Sequence, residues 1–201
     1  MCENGANVNA FERDGWTALM IASHAGDEEM VSLLIEYGAS STHVANDGIS
    51  TALGVALRQG NRDIVQRLLI SVMTDALITG DGPAILKALA DGASPNSALE
   101  TGWTPLIFMV THNDLTGAQA VLDSGADVNM AENDGWSPVM MAADSGNIEM
   151  VKLLLENGAD AAQQAQRGPC IGCTALSLAN NAGHVAIVKL LKNIPKRPHK
   201  S

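Results

Sequence analysis

The sequence predicts an all-α protein built from stacked helix-turn-helix units. Three stretches, which begin at Gly15, Gly102 and Gly135, align with one another along their length, and Trp103 and Trp136 lie 33 residues apart. Apolar residues recur within each stretch at helical spacing. A fixed period of this size is typical of repeat proteins, in which one helix pair cannot bury its apolar stripe alone and neighbouring units must stack.

Each unit is predicted to hold two short helices separated by a break residue. The break residues occupy one equivalent position in six units, and they are Gly26, Gly60, Gly80, Asn113, Gly146 and Gly183. In the fifth unit, residues 150–155 place their apolar side chains on one stripe of the second helix. Gly158 follows and is expected to end that helix in a left-handed conformation.

The first helix of each unit has a recognisable start. A hydroxyl side chain stands where it can cap the helix, at Thr17, Thr104, Ser137 and Thr174. Pro105 and Pro138 then suit the first helical turn. Asp-Gly pairs at residues 14–15, 47–48 and 134–135 are turn signals between units.

These signals divide the chain into one repeat domain over residues 1–194. The units are expected near residues 12–45, 46–70, 71–98, 99–131, 132–165 and 166–194. Residues 1–11 read as the remnant of a preceding unit, so the chain is either a fragment of a longer protein or starts with an improvised cap. Residues 195–201 form a basic tail with two prolines, which is expected to be disordered.

The second and third units are joined abruptly. The step from Gly60 to Gly80 is 20 residues, whereas the other steps between break residues are 33 to 37. The missing segment is a turn and hairpin, so we expect the outer helix of the second unit to end near Ile70 and to run directly toward residues 71–79. The shortening is either a tolerated deletion or an interruption of the curvature that shapes a pocket.

Composition and motifs exclude several functions. The 22 acidic residues outnumber the 12 basic ones, and the formal net charge is −10. Since five of the basic residues lie within 189–201, residues 1–188 carry a net charge of −15, which argues against nucleic-acid binding. No apolar run is long enough to span a membrane, and no secretory signal or catalytic motif is present. Three cysteines do not make a disulfide scaffold, and they favour a reducing compartment.

The motifs DGWTAL, DGWSPV, ENGANVNA and DSGADVNM, in phase over residues 3–194, closely resemble the ankyrin repeat family. The resemblance implies a solenoid with β-hairpin loops that binds a protein partner non-catalytically through its concave groove and hairpin tips, as a scaffold, adaptor or regulator. It implies no cofactor, and an intracellular site in the cytoplasm or nucleus. We expect a monomer whose partner has a basic or extended segment. The alternative is a regulatory segment of a larger enzyme or channel.

Tryptophan marks the expected binding surface. Trp16, Trp103 and Trp136 occupy one position, before the helix cap, which in ankyrin repeats faces the groove. They either form an exposed apolar ladder or pack on the neighbouring hairpins. The resemblance adds other partner-facing positions, namely Arg13, Asp14, His24, Tyr37, Arg58, Gln59, Thr111, His112, Asn133, Asp134, Asp144 and Ser145.

Two further sets of residues have alternative interpretations. Asn9 and Asn129 resemble sites of asparaginyl hydroxylation, although an asparagine that bridges a hairpin by hydrogen bonds explains them as well. Cys170 and Cys173 lie in a unit with a four-residue insertion. They are expected to be ordinary loop thiols, the alternatives being half of a metal site, with His184 as a third ligand, or a redox-labile pair.

Overall fold

The computed structural model describes residues 7–168 and 170–194, and these parts of the chain contain eleven helices. The helices are α1 (Ala18–Ala25), α2 (Glu28–Glu36), α3 (Ala52–Gln59), α4 (Arg62–Thr79), α5 (Gly82–Ala90), α6 (Pro105–Thr111), α7 (Leu115–Asp123), α8 (Pro138–Asp144), α9 (Ile148–Glu156), α10 (Ala175–Asn181) and α11 (Val185–Lys192). The described residues form no strand, and the one β-bridge, between Phe11 and Thr17, is isolated. The predicted all-α class is confirmed, and the hairpin loops consist of turns.

The helices form two compact units. The first holds the described residues up to Thr79 together with Lys87–Ser94, and the second holds Gly80–Leu86 and the described residues from Pro95 onward. In the first unit, α1 packs against α2 and α3, and α4 packs against both α2 and α3. In the second, α8 packs against α6, α9 and α10, while α7 and α11 both pack against α9. Within each unit, therefore, a helix pair contacts its sequence neighbours, as in a solenoid.

The core of both units is aliphatic. Its largest fully buried side chains are leucine, isoleucine and methionine, among them Leu19, Leu68, Met140 and Leu154. Of the aromatic residues Phe, Tyr and Trp, the described structure buries only Phe108. Among the described residues no helix has both the length and the apolar character needed to cross a membrane.

Hydroxyl caps begin four of the first helices. Thr17, Thr51, Thr104 and Thr174 each accept a hydrogen bond from the backbone N–H three residues later. The cap predicted at Ser137 is wrong, because its hydroxyl makes no capping bond and is buried without a hydrogen-bond partner in the described structure. Pro105 and Pro138 lie in the first turns, as predicted.

The break residues share one backbone conformation. All six have a positive φ, between +56° and +79°. Five are glycines, which adopt this left-handed conformation without a Cβ penalty. Asn113, at φ +56°, is the only non-glycine residue with a positive φ in the described parts of the chain. Its side-chain Oδ1 accepts a hydrogen bond from Asn147 Nδ2 at 3.0 Å, which ties one break to the next.

Replacement of Asn113 by alanine should therefore destabilise the protein by about 1–2 kcal/mol, since alanine has no side-chain hydrogen bond to offset the left-handed backbone. Urea unfolding measures the loss as a lower midpoint. The Asn113→Gly variant is the matched control, because it loses the same hydrogen bond but adopts the backbone freely. An alanine variant as stable as the glycine variant would contradict this account.

The junction between the second and third repeats is one continuous helix. α4 spans 18 residues, from Arg62 to Thr79. The predicted helix end near Ile70 is wrong, because residues 62–79 contain no glycine or proline and the apolar side continues through Met73, Ala76 and Leu77, which are all buried. The helix stops only before Gly80, whose φ is +70°.

Candidate functional site

The three tryptophans close equivalent hairpins. Each backbone carbonyl accepts a hydrogen bond from an N–H four residues earlier: Trp16 from Glu12, Trp103 from Leu99 and Trp136 from Glu132. All three side chains are half-buried. Each indole is therefore partly exposed to solvent, and both interpretations offered by the sequence remain open.

Hydrogen bonds join consecutive hairpins at a constant spacing. Asn46 Nδ2 donates to the carbonyl of Arg13 at 2.9 Å, and Asn133 Nδ2 donates to that of Glu100 at 2.6 Å. Asp134 accepts through its carbonyl from the Arg167 N–H at 3.2 Å. The side chains of Arg13, Asp134 and Asn133 are exposed, as is that of Asp14, whose Oδ1 accepts from the Trp16 N–H. The hairpin tips are thus joined by hydrogen bonds to backbone carbonyls, two of them from asparagine side chains, and they present polar side chains to solvent.

In the first compact unit, three of the predicted site residues come together. The Trp16 indole meets the His24 ring edge-on at a centroid distance of 5.9 Å. His24 Nδ1 lies 2.8 Å from Gln59 Nε2, so the ends of α1 and α3 are linked through side chains. These residues form a connected cluster of one indole, one imidazole and one amide, which we call the Trp16 cluster.

Beside this cluster, Arg58 contacts the hairpin turn at Asp47. Arg58 Nη2 donates to Ser50 Oγ at 3.4 Å, and Asp47 accepts hydrogen bonds from the Ser50 hydroxyl and from the N–H groups of Ser50 and Ile49. The Ser50 hydroxyl, followed by the two N–H groups and the positive charge of Arg58, lowers the pKa of Asp47 to about 2. Sequence reasoning marked Asp47 only as a turn residue and missed Ser50 altogether.

Because this pKa lies below the unfolded value of 3.8, the stabilisation from Asp47 is fully present above about pH 3.8 and is lost as the pH falls toward 2. An NMR titration of the Asp47 carboxyl carbon is expected to show a midpoint near 2. The Asp47→Asn variant should lose this part of the acid dependence of stability, whereas Asp123→Asn, on α7, should keep it. A midpoint at or above 3.8 would contradict the hydrogen-bonded turn.

In the second compact unit, most of the predicted residues contact their own helix, and one contacts the next repeat. The His112 ring stacks on Phe108 with centroids 4.0 Å apart, and Thr111 Oγ1 donates to the Ile107 carbonyl. Ser145 Oγ donates to the Ala142 carbonyl, while the carbonyl of Asp144 accepts from His184 Nε2 at 2.9 Å. These residues are exposed at helix ends, but their hydrogen bonds do not connect them with Trp103 or Trp136 in the described structure.

Tyr37 lies apart from the Trp16 cluster. It is the C-cap of α2, the second helix of its unit, and its side chain is 43% exposed. Among the described residues, the ring that contacts Trp16 is that of His24. Tyr37 therefore does not extend the cluster.

Asn9 and Asn129 each bridge consecutive turns. Asn9 Oδ1 accepts from the Ser40 N–H at 2.7 Å while its Nδ2 donates to the Gly38 carbonyl, and Asn129 Oδ1 accepts from the Asp160 N–H at 2.7 Å. The hydrogen-bonding role inferred from the sequence is confirmed. Their hydroxylation stays a prediction.

Cys170 and Cys173 form a disulfide, so the expectation of free loop thiols is wrong. A tight turn brings the two residues together: the Cys173 N–H donates to the Cys170 carbonyl, Gly172 has φ +79°, and the Cα atoms are 5.4 Å apart, a separation that a disulfide requires. The described residues contain no group of three or more metal-ligating side chains. His184, proposed as a third metal ligand, donates instead to a carbonyl.

The stacked helix pairs, hydroxyl caps and bridged turns define a helical repeat protein. The family model described as ankyrin repeats (3 copies) matches residues 1–80 and residues 73–165. The chain therefore belongs to the ankyrin repeat family, and this family implies a protein–protein interaction module.

Curated proteins show the same similarity. The chain is 37% identical over 78 residues to the ankyrin repeat and KH domain-containing protein mask-1 of Caenorhabditis elegans, a match that covers 39% of the chain and 3% of that protein. It is 41% identical over 63 residues to the Notch-regulated ankyrin repeat-containing protein B of Danio rerio, covering 31% of the chain and 56% of that protein. The chain thus spans less than two thirds of the length of either relative.

Proposed function

We propose that the chain is a non-catalytic module that binds a protein partner through its hairpin tips and the first helices of its repeats, with Trp16, Trp103 and Trp136 as anchors. The observation that carries the proposal is the shared position and half-burial of these three indoles in a protein whose core is aliphatic. Tryptophan is enriched at binding hot spots because it offers a large, rigid apolar area.

The first compact unit supplies the surroundings that such an anchor needs. Two exposed apolar residues belong to these surroundings. Leu57, 53% exposed, shares α3 with Gln59, and Ile49, 77% exposed, lies in the turn that Arg58 contacts. Arg58 and Asp14 add charge at the rim. An apolar centre with a polar edge is the usual anatomy of a protein interface.

The partner is expected to present a basic or extended segment. Residues 1–188 carry a net charge of −15, and opposite charge on a partner accelerates and orients association. The role we propose is that of a scaffold, adaptor or regulator. A regulatory segment of a larger protein is the second candidate, favoured by the relative mask-1, of which the matched region is only 3%.

The proposal is tested by partner capture with tryptophan variants, one compact unit at a time. Trp16→Ala, and separately Trp103→Ala with Trp136→Ala, should reduce capture at least tenfold, because truncation of a hot-spot residue costs about 2 kcal/mol or more. Val185→Ala on α11, where the side chain is 62% exposed, is the matched control. Circular dichroism checks that each variant keeps its helices. Undiminished capture by folded tryptophan variants would refute the assignment.

A further inference from the structure

A cleft of about 810 Å³ opens in the first compact unit, away from the Trp16 cluster. Its walls are one side of α2, the turn at residues 38–42 and one face of α4. α4 contributes Asp63, Arg67, Ile70, Thr74 and Ile78, which recur every three or four residues and therefore lie on one side of the helix. The continuous helix that replaces a hairpin forms the long wall of this cleft.

The cleft lies where the other repeats place a turn. Asn9, Asn96 and Asn129 each accept a hydrogen bond from a backbone N–H that lies 31 residues further on, in the turn of the following repeat. The equivalent position in the turn at residues 38–42 is Thr42. The residues about 31 positions after it lie in helix α4 and not in a turn. Ser41 Oγ instead donates to Asp75 Oδ2 across the gap, at 2.7 Å. The asparagine is therefore replaced where its partner turn is missing.

The floor of the cleft exposes aliphatic side chains. Ile70 and Ile78, two turns apart on α4, are 59% and 69% exposed, and Ile35 of α2 lies half-buried between the two elements. Isoleucine gains free energy when its apolar surface leaves water. An aliphatic side chain of an occupant would gain free energy in the same way when it packs against these isoleucines.

The rim of the cleft is acidic. Glu28, Asp63 and Asp75 face it with only Arg67 to balance them, so the lining has a net charge of −2. The two ion pairs recorded in the described parts of the chain, Lys87 with Asp91 and Lys152 with Glu149, involve none of these carboxylates. The matching occupant is positively charged.

From this combination we propose that the cleft binds a short basic segment of a partner protein, with an aliphatic side chain between Ile70 and Ile78 and Lys or Arg side chains facing the three carboxylates. The cleft is independent of the tryptophan surface. The length suits an extended segment, since 18 helical residues span about 27 Å and seven extended residues span about 24 Å.

The test is an NMR titration of the full chain with three synthetic seven-residue peptides. The probe is Gly-Lys-Leu-Arg-Lys-Leu-Gly, and its matched controls replace the basic residues by glutamate or the leucines by serine. The probe should shift the amide signals of residues 28–42 and 63–79, with at least about tenfold weaker binding of both controls. No shift in those residues, or equal binding of the acidic peptide, would overturn the proposal.

Variants separate the cleft from the tryptophan surface. Ile70→Ser with Ile78→Ser, and separately Glu28→Gln with Asp63→Asn, should each weaken probe binding about tenfold, whereas Val185→Ser and Trp16→Ala should not change it. A probe that binds the isoleucine variant unweakened would refute the cleft. If removal of residues 195–201 raised the affinity for the probe, the chain's own basic tail would be the occupant, which would also overturn the proposal.

Discussion

Replacement of Leu154 by alanine is expected to destabilise the protein by about 2–5 kcal/mol, a large share of the stability of a typical domain. Leu154 lies in α9 with none of its surface exposed. The loss combines the transfer free energy of the removed methyl groups with the cavity left among side chains that relax only in part. The same stripe of α9 contains Met150 and Val151, which are fully buried as well.

Urea unfolding measures this effect as a lower midpoint with an unchanged slope. Leu115→Ala is the matched control, because the side chain of Leu115, at the start of α7 in the same compact unit, is 38% exposed. The Leu115→Ala variant should lose about 1 kcal/mol of stability or less. Equal losses at the two positions would contradict the burial described for α9.

Proline in place of Ser71 is expected to destabilise the protein by about 3 kcal/mol or more. Ser71 stands in the middle of α4, where a proline ring would clash with the preceding turn and remove a backbone hydrogen bond. If the helix instead ended near Ile70, proline just beyond that end would be tolerated. The substitution therefore distinguishes one continuous helix from two.

The control for this experiment is Ser71→Ala, which removes the same hydroxyl and leaves the helix intact. Thermal unfolding followed by circular dichroism should show a large decrease in Tm for the proline variant and a small change for alanine. A proline variant with the stability of the alanine variant would show that α4 is interrupted.

Local signals account for the parts of the fold that the sequence predicts well. A break residue needs a left-handed conformation, so glycine or asparagine marks it, and all six predicted positions have a positive φ. A helix start needs a side-chain acceptor, and threonine supplies one at Thr17, Thr104 and Thr174. Ser137 shows the limit of such signals, because a correct residue type does not guarantee the rotamer that makes the bond.

Where the sequence carries no local signal, the structure departs from the prediction. The predicted helix end near Ile70 has no local signal, because no glycine or proline stands there to end the helix. The disulfide between Cys170 and Cys173 depends on the turn at Gly172, which residue types alone do not specify. The cleft follows from both the missing turn and the long helix, and the sequence offered it only as one of two alternatives.

The candidate site was predicted in part. The Trp16 cluster joins residues that the repeat register had placed on one surface, and the structure links them by direct contacts. The contact of His112 with Phe108 and the turn of Asp47 with Ser50 depend on side-chain geometry within one repeat, which the register does not encode. The partner-facing role of the predicted positions remains the proposal.

Hydrogen–deuterium exchange of the chain with its captured partner would locate the bound surface without any substitution. If the tryptophan surface binds the partner, exchange should slow in the hairpin around Trp16, in α1 and α3, and in the hairpins that hold Trp103 and Trp136. Helices α7 and α9, each the second helix of its repeat, should exchange at the rate of the free chain. Protection confined to α7 and α9, with the tryptophan hairpins unchanged, would contradict the proposed binding surface.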